Sequence, residues 1–103
     1  MESNSTEMIA MNIIANSGDA RSFAFGALEK AKKRKFQEAE DFLRQADEAS
    51  TKAHKAQTEL LFDEANDRKR EMTVLLVHAQ DHFMTSMLAL ELIKEIIQLY
   101  KNK

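Results

Sequence analysis

The strongest constraint on this chain is what it lacks: its 103 residues include no proline and only two glycines, Gly18 and Gly26. Sharp reversals and irregular loops draw heavily on those two residue types. Alanine, glutamate, lysine, glutamine, leucine and methionine are abundant instead, and all are strong helix formers. An all-α fold follows. The length suits one domain spanning residues 1–103, with a core that removes roughly 65% of the unfolded surface from water. A core that small makes association with other chains a natural source of further burial.

Apolar residues recur at helical spacing in three runs. The first helix is expected to begin near Asn4 to Thr6, where Asn4 and Glu7 have the spacing of a capping box, with residues 1–5 flexible. Ile9, Ile13, Ala20, Phe23, Ala24, Ala27, Leu28 and Ala31 mark its inward face. Gly18 permits close approach of a neighbouring backbone, or a slight kink. The second helix is expected from about Phe36 to Ala65, with Phe36, Ala39, Phe42, Leu43, Ala46, Ala49, Ala53, Ala56 and Leu60 as its stripe. Asn66-Asp67 is the turn signal that follows, Asn66 being suited to the left-handed conformation. The third helix starts between Asp67 and Thr73 and runs close to Tyr100. Three helices joined by short turns give an antiparallel up-down-up three-helix bundle.

The third helix carries more apolar surface than such a bundle requires. One seven-residue repeat reads Leu75, His78, His82, Thr85, Ala89, Leu92, Ile96; a second reads Val74, Val77, Asp81, Met84, Leu88. One stripe is expected to serve the subunit's own core and the other to meet another chain.

Within this helix His78, Asp81 and His82 lie three and four positions apart, and so share a face. Two imidazoles and a carboxylate in an apolar seam are costly unless paired, liganded or used. Three readings compete. The histidines could be structural, which is the better reading for the isolated His54. His78 and His82 at i, i+4 could bind a cation, with Asp81 as the one obvious third ligand and more needed from helix two or from symmetry copies. Or a histidine could be a nucleophile, attacking phosphorus to form a phosphoramidate and passing the group on.

Several function classes are excluded or disfavoured. The chain contains no cysteine, so there is no disulfide or thiol chemistry. No glycine-rich phosphate cradle accompanies the histidines, which argues against an ATP-dependent kinase. No signal peptide is evident, and no apolar run approaches the ~20 residues of a membrane span, so direct membrane insertion is not expected. A net charge of −2 is too balanced for a nucleic-acid binder. The basic run from Lys30 to Lys35 reads as a helix C-terminus, where cations complement the dipole.

The run Val74-Leu-Leu-Val-His78-Ala-Gln80-Asp81-His82-Phe-Met-Thr-Ser-Met-Leu88 resembles the IIA component of the lactose/cellobiose branch of the bacterial phosphotransferase sugar-uptake system (PTS). Ile13 to Ser22 and Ala53 to Thr58 support the resemblance, which spans all but the first few residues. It implies a cytoplasmic homotrimer of three-helix subunits. Such a carrier takes phosphate from the phosphohistidine of HPr and passes it to a cysteine of a IIB component, for uptake of cellobiose, lactose or a related β-linked disaccharide. On this chain the resemblance makes His78 the phosphorylated residue. It makes Asp81 the ligand of a divalent cation, Mg²⁺ or another, on the trimer axis.

If Asp81 points at that axis, His78 and His82 lie on one flank of the helix and Gln80 on the other. Gln80 of an adjacent subunit is then expected beside the phosphoryl group on His78, with His82 of the same chain nearby. Three carboxylates converging on an axis repel one another unless a cation sits among them. The chain departs from the family pattern at Arg34-Lys35, where Gly-Asp often stands, and at Asp67, where Gly is common. A left-handed glycine and a capping aspartate are therefore expected to be lost at the first turn. Two other readings stay open: a non-catalytic helical oligomerisation or adaptor module in which His78 only packs, and a metal-binding helical bundle.

Overall fold

A computed structural model of the chain describes residues 5–103, which form three helices: α1 (Thr6–Lys32), α2 (Phe36–Ala65) and α3 (Val74–Lys101). No strand occurs among the described residues. The chain folds as an all-α three-helix bundle, 51 × 22 × 20 Å in extent. Helix α1 is the middle element: it packs along its length against both α2 and α3, while α2 and α3 meet only sparingly. Small residues make this possible. Ala10, Ser17, Ala20, Ala24, Ala27 and Ala31 are all buried on α1, opposite Ala39, Ala46, Ala49, Ala53 and Ala56 on α2.

The core divides into two clusters. One gathers Ile9, Ile13, Leu60, Leu76 and Phe83 around the start of α1 and α3. The other gathers Leu43, Leu90, Ile93 and Ile97 with alanines of α1 and α2 at the opposite end. Ser17 and Ser86 are buried outside both clusters, and their hydroxyls have no hydrogen-bond partner among the described residues. Phe23, Leu28, Phe36 and Phe42, expected on the inward stripes, are only partly buried and pack against the second cluster from its edge.

The ends of the helices are set by short-range bonds. Ser5 caps α1, its Oγ accepting from Met8 N at 3.1 Å. The cap is thus one residue beyond the expected Asn4, which lies outside the described residues, as do residues 1–3. Thr73 caps α3 in the same way, accepting from Leu76 N at 3.1 Å. Both interhelical turns close as Schellman motifs. At the first, Arg34 N–H donates to Ala31 O and Lys35 N–H to Lys30 O, each at 2.9 Å. At the second, Asp67 N–H donates to Glu64 O at 3.1 Å and Arg68 N–H to Asp63 O at 2.8 Å.

The left-handed residue of each motif is Arg34 and Asp67, both at φ 61°. The glycine is absent as expected, and the turn geometry is nevertheless kept. The left-handed position of the second turn falls on Asp67 and not on Asn66, whose φ is −102°. Arg34 is held by donation to the Tyr100 carbonyl at 3.3 Å and by its guanidinium over the Phe36 ring. The capping aspartate is lost as expected, since Lys35 makes no side-chain cap bond. Across this turn Lys30 hydrogen-bonds Glu38 and holds its carboxyl below the usual range. That exposed pair gives minor support above the ordinary carboxylate range and loses it as pH falls through the lowered value.

The segment 66–73 is longer than a tight turn and is anchored by a buried ion pair. Asp63 receives two bonds from Arg70, at 2.6 and 3.2 Å, and Arg70 also donates to Thr6 Oγ1 at 3.0 Å. This clamp ties the end of α2 and the approach to α3 onto the start of α1. Asp67, by contrast, carries a left-handed backbone that costs an L-residue roughly 1–2 kcal/mol, partly offset by the lower unfolded-state entropy of a non-glycine residue. Asp67→Gly is expected to stabilise the protein by about 0.5 kcal/mol in chemical denaturation, and Asp67→Val to destabilise it by more than that.

Candidate functional site

The buried stripe of α3 is Leu76, Ala79, Phe83, Ser86, Leu90, Ile93 and Ile97. It is neither of the two repeats expected to supply the core. Both of those lie on the outside or at the margins of the bundle. Val77, Met84, Leu88 and Leu92 are 53, 57, 56 and 54% exposed, and Val74 is more open still. Apolar residues occupy nearly the whole circumference of this helix, so periodicity alone does not say which stripe faces α1. The consequence is that His78, Asp81 and His82 do not interrupt a buried seam. They stand on the open side of the subunit.

His78 is exposed and His82 half-buried, with their rings stacked at 5.8 Å between centroids and 7° between planes. His82 lies against α1: a Cβ built on Gly18 would sit 3.6 Å from its Nε2. The neighbour at Gly18 is therefore a side chain at ordinary contact distance, not the close backbone approach expected there. Gln80 projects on the other flank, toward α2, where its Oε1 accepts from Gln57 Nε2 at 2.8 Å. Asp81 sits between the two flanks on the exposed apolar stripe. Its carboxylate has no hydrogen bond or ion pair among the described residues, and its backbone carbonyl accepts from Thr85 Oγ1 at 2.9 Å. The expected arrangement, histidines on one flank, Gln80 on the other and Asp81 between, is the one found.

A metal site built within one chain is not found. No group of three His, Asp or Glu side chains among the described residues is placed to hold an ion, and α2 offers no ligand to complete His78, Asp81 and His82. His54, read as structural, packs its ring against Phe83 at 6.1 Å. Gln57 lies in the run Ala53 to Thr58 that carries part of the resemblance, but its bond to Gln80 was not legible there, because a single amide on a helix leaves no periodic or charge signal.

The profile of the family described as "PTS system, Lactose/Cellobiose specific IIA subunit" matches residues 8–101 of this chain. The chain belongs to that family. Members are phosphotransferase components, so His78 stands in a chain whose family chemistry is phosphoryl transfer. Among relatives, the N,N'-diacetylchitobiose-specific EIIA component of Escherichia coli K12 is 45% identical over 98% of this chain and 87% of its own length. The crystal structure of the cellobiose-specific enzyme IIA from Bacillus anthracis superposes with a TM-score of 0.92 at 46% identity, covering 98% of this chain and 93% of that one. The solution structure of the Escherichia coli chitobiose IIA in complex with HPr gives a TM-score of 0.82 at 43% identity, covering 97% of both chains. The IIA fold thus accounts for the three helices.

Proposed function

We propose that this IIA component is a cytoplasmic phosphocarrier that receives a phosphoryl group from phospho-HPr on His78 and delivers it to a cysteine of a IIB component. The observation that carries the reading is the exposed His78 ring, stacked on His82 on the open face of α3. A histidine that exchanges phosphate with two proteins must be reachable by large partners, and an exposed helical imidazole is. In the first step an imidazole nitrogen of His78 attacks phosphorus as the P–N bond of phospho-HPr breaks, and the departing imidazole takes a proton. In the second, the IIB thiolate attacks phosphorus and the His78 imidazole leaves. Neither step requires more of the protein than in-line positioning and donors for the transferring oxygens. His82 buttresses the His78 ring and restricts where the phosphoryl group can point.

The complex of the Escherichia coli relative with HPr supports HPr as the donor. Relatives specific for N,N'-diacetylchitobiose and for cellobiose are almost equally similar to this chain, at 45 and 46% identity. The sugar is accordingly cellobiose, lactose, chitobiose or another β-linked disaccharide, and it binds the membrane component and not this chain.

The working form is a homotrimer in which the stripe Val74, Val77, Asp81, Met84 and Leu88 faces the three-fold axis. Removing half-exposed side chains of this size from water contributes about 1 kcal/mol each. Asp81 is the exception on the stripe: three copies would meet with no partner of their own, which suits a shared divalent cation such as Mg²⁺, completed by water. Each His78 flank then faces the Gln80 flank of its neighbour, and the neighbour's Gln80 amide donates to the phosphoryl oxygens.

Incubation with phosphoenolpyruvate, enzyme I and HPr is expected to place acid-labile phosphate on the chain, and His78→Ala to abolish it. An unlabelled wild-type chain would favour the adaptor reading. Asp81→Leu is expected to remove the metal while leaving the trimer intact or tighter, because apolar replacement of gathered charge is often stabilising. Sedimentation equilibrium together with metal analysis checks this, and a variant that dissociates would contradict it.

A further inference from the structure

We propose that Gln57 of α2 is a positioning residue for phosphoryl transfer, fixing the Gln80 side-chain amide so that its N–H donors point outward toward the phosphorylated histidine of the adjacent subunit. The inference rests on the reading of Gln80 just given and assigns to Gln57 a role that reading does not contain.

A glutamine amide has one acceptor end and one donor end of nearly identical shape, and phosphoryl oxygens accept hydrogen bonds but donate none when ionised. A Gln80 free to turn over would have to be oriented by the phosphoryl group itself at each transfer, at a cost that a held amide avoids. In the structure Gln80 Oε1 is engaged, accepting from Gln57 Nε2 at 2.8 Å. Its own Nε2 donates to no acceptor among the described residues, so the donor end is the one left available.

A pair of glutamines could in principle reverse roles, with Gln80 donating and Gln57 accepting. The sulfur of Met84 breaks that symmetry. It lies 3.9 Å from Gln57 Nε2, close enough to act as a second, weak acceptor for the same amino group. Turning the Gln57 amide over would set its oxygen against a thioether sulfur, two lone-pair atoms facing each other with no proton between them. Met84 thus favours Gln57 as donor, and Gln57 as donor makes Gln80 the acceptor. The chain of preference runs from Met84 through Gln57 to Gln80, and ends with two N–H bonds directed away from α2.

The proposal predicts graded effects for substitutions that change donor and acceptor character at one position. In Gln57→Glu an ionised carboxylate can only accept, so Gln80 turns its amino group inward and presents oxygen to the phosphoryl group. In Gln57→Leu the amide is unheld. In Gln57→Lys a donor is restored. Measured as the rate of transfer from phospho-HPr and the half-life of phosphohistidine by ³¹P NMR, Gln57→Leu is expected to cost about twofold to fivefold and Gln57→Glu about tenfold, the scale of one hydrogen bond to a charged group. Gln57→Lys is expected to recover most of the loss seen in Gln57→Leu.

Placing each substitution in a Gln80→Leu background separates positioning from the direct effect of a new charge. All three should then have little further effect. A tenfold loss from Gln57→Glu that persists without Gln80 would overturn the proposal in favour of simple repulsion. The side-chain amide resonances of Gln80 give an independent reading: phosphorylation should shift them in the wild type and fail to do so in Gln57→Glu, and equal shifts in both would also overturn it. If Gln80→Leu alone leaves rate and half-life unchanged, the reading of Gln80 fails and the role of Gln57 falls with it. If Gln80→Leu slows transfer and the Gln57 variants do not, the Gln57 proposal alone is refuted.

Discussion

The rest of the architecture depends on the packing of α1 against both of its neighbours through a seam of alanines and one buried serine. Alanine and serine side chains let the helices approach closely, and the contact runs the length of α1 on both sides. A symmetrical bundle would have placed α2 and α3 in equal contact and hidden more of each. Here they meet sparingly, and ion pairs such as Lys94–Asp47, at 2.7 Å, span a groove between them of about 870 Å³. α3 therefore contributes one narrow stripe to the core and leaves most of its circumference outside. The polar run from His78 to His82 is usable because it falls on that uncovered part.

This arrangement resolves the apparent cost of placing two imidazoles and a carboxylate in an apolar helix. None of the three is deeply buried in the subunit, and each has a different neighbour. His82 rests on α1 at Gly18, His78 stacks on His82, and Asp81 stands among Val77, Met84 and Leu88 with no polar partner among the described residues. Gln80, one residue before Asp81, turns toward α2 and is held by Gln57. A single turn of helix thus points one set of groups toward α1, one toward α2 and one outward between them. In a three-fold assembly those directions become the two sides of one transfer site and the axis itself.

Much of this was legible in the residues. The absence of proline and the scarcity of glycine fixed the helical class. The second helix begins and ends where the pattern of Phe36 to Ala65 says it does. The flanks of α3 followed from helical geometry alone. What could not be read was the phase of α3, since a helix apolar on nearly every side has no distinctive inward stripe. The hydroxyl cap at Ser5 was obscured by Asn4 and Thr6, neighbouring residues of similar capping ability. The Asp63–Arg70 clamp joins residues seven apart across a turn, and the Gln57–Gln80 bond joins residues 23 apart, so neither leaves a mark on local sequence. Left-handed Arg34 and Asp67 show that hydrogen bonds closing a Schellman motif can impose a conformation their side chains disfavour.

The central claim is that each transfer site is shared, His78 from one subunit and Gln80 from the next. It is tested most directly by mixing subunits. Chains carrying His78→Ala have no acceptor, and chains carrying Gln80→Leu have an acceptor without its donor. When the two are unfolded together in equal amounts and reassembled, about half of the remaining histidines should face an intact Gln80 across the interface, as the symmetry of a ring requires. Those sites should accept phosphate from phospho-HPr at the wild-type rate, giving a fast phase absent from either variant alone. A mixture whose kinetics are the simple sum of the two separate variants would contradict a shared site.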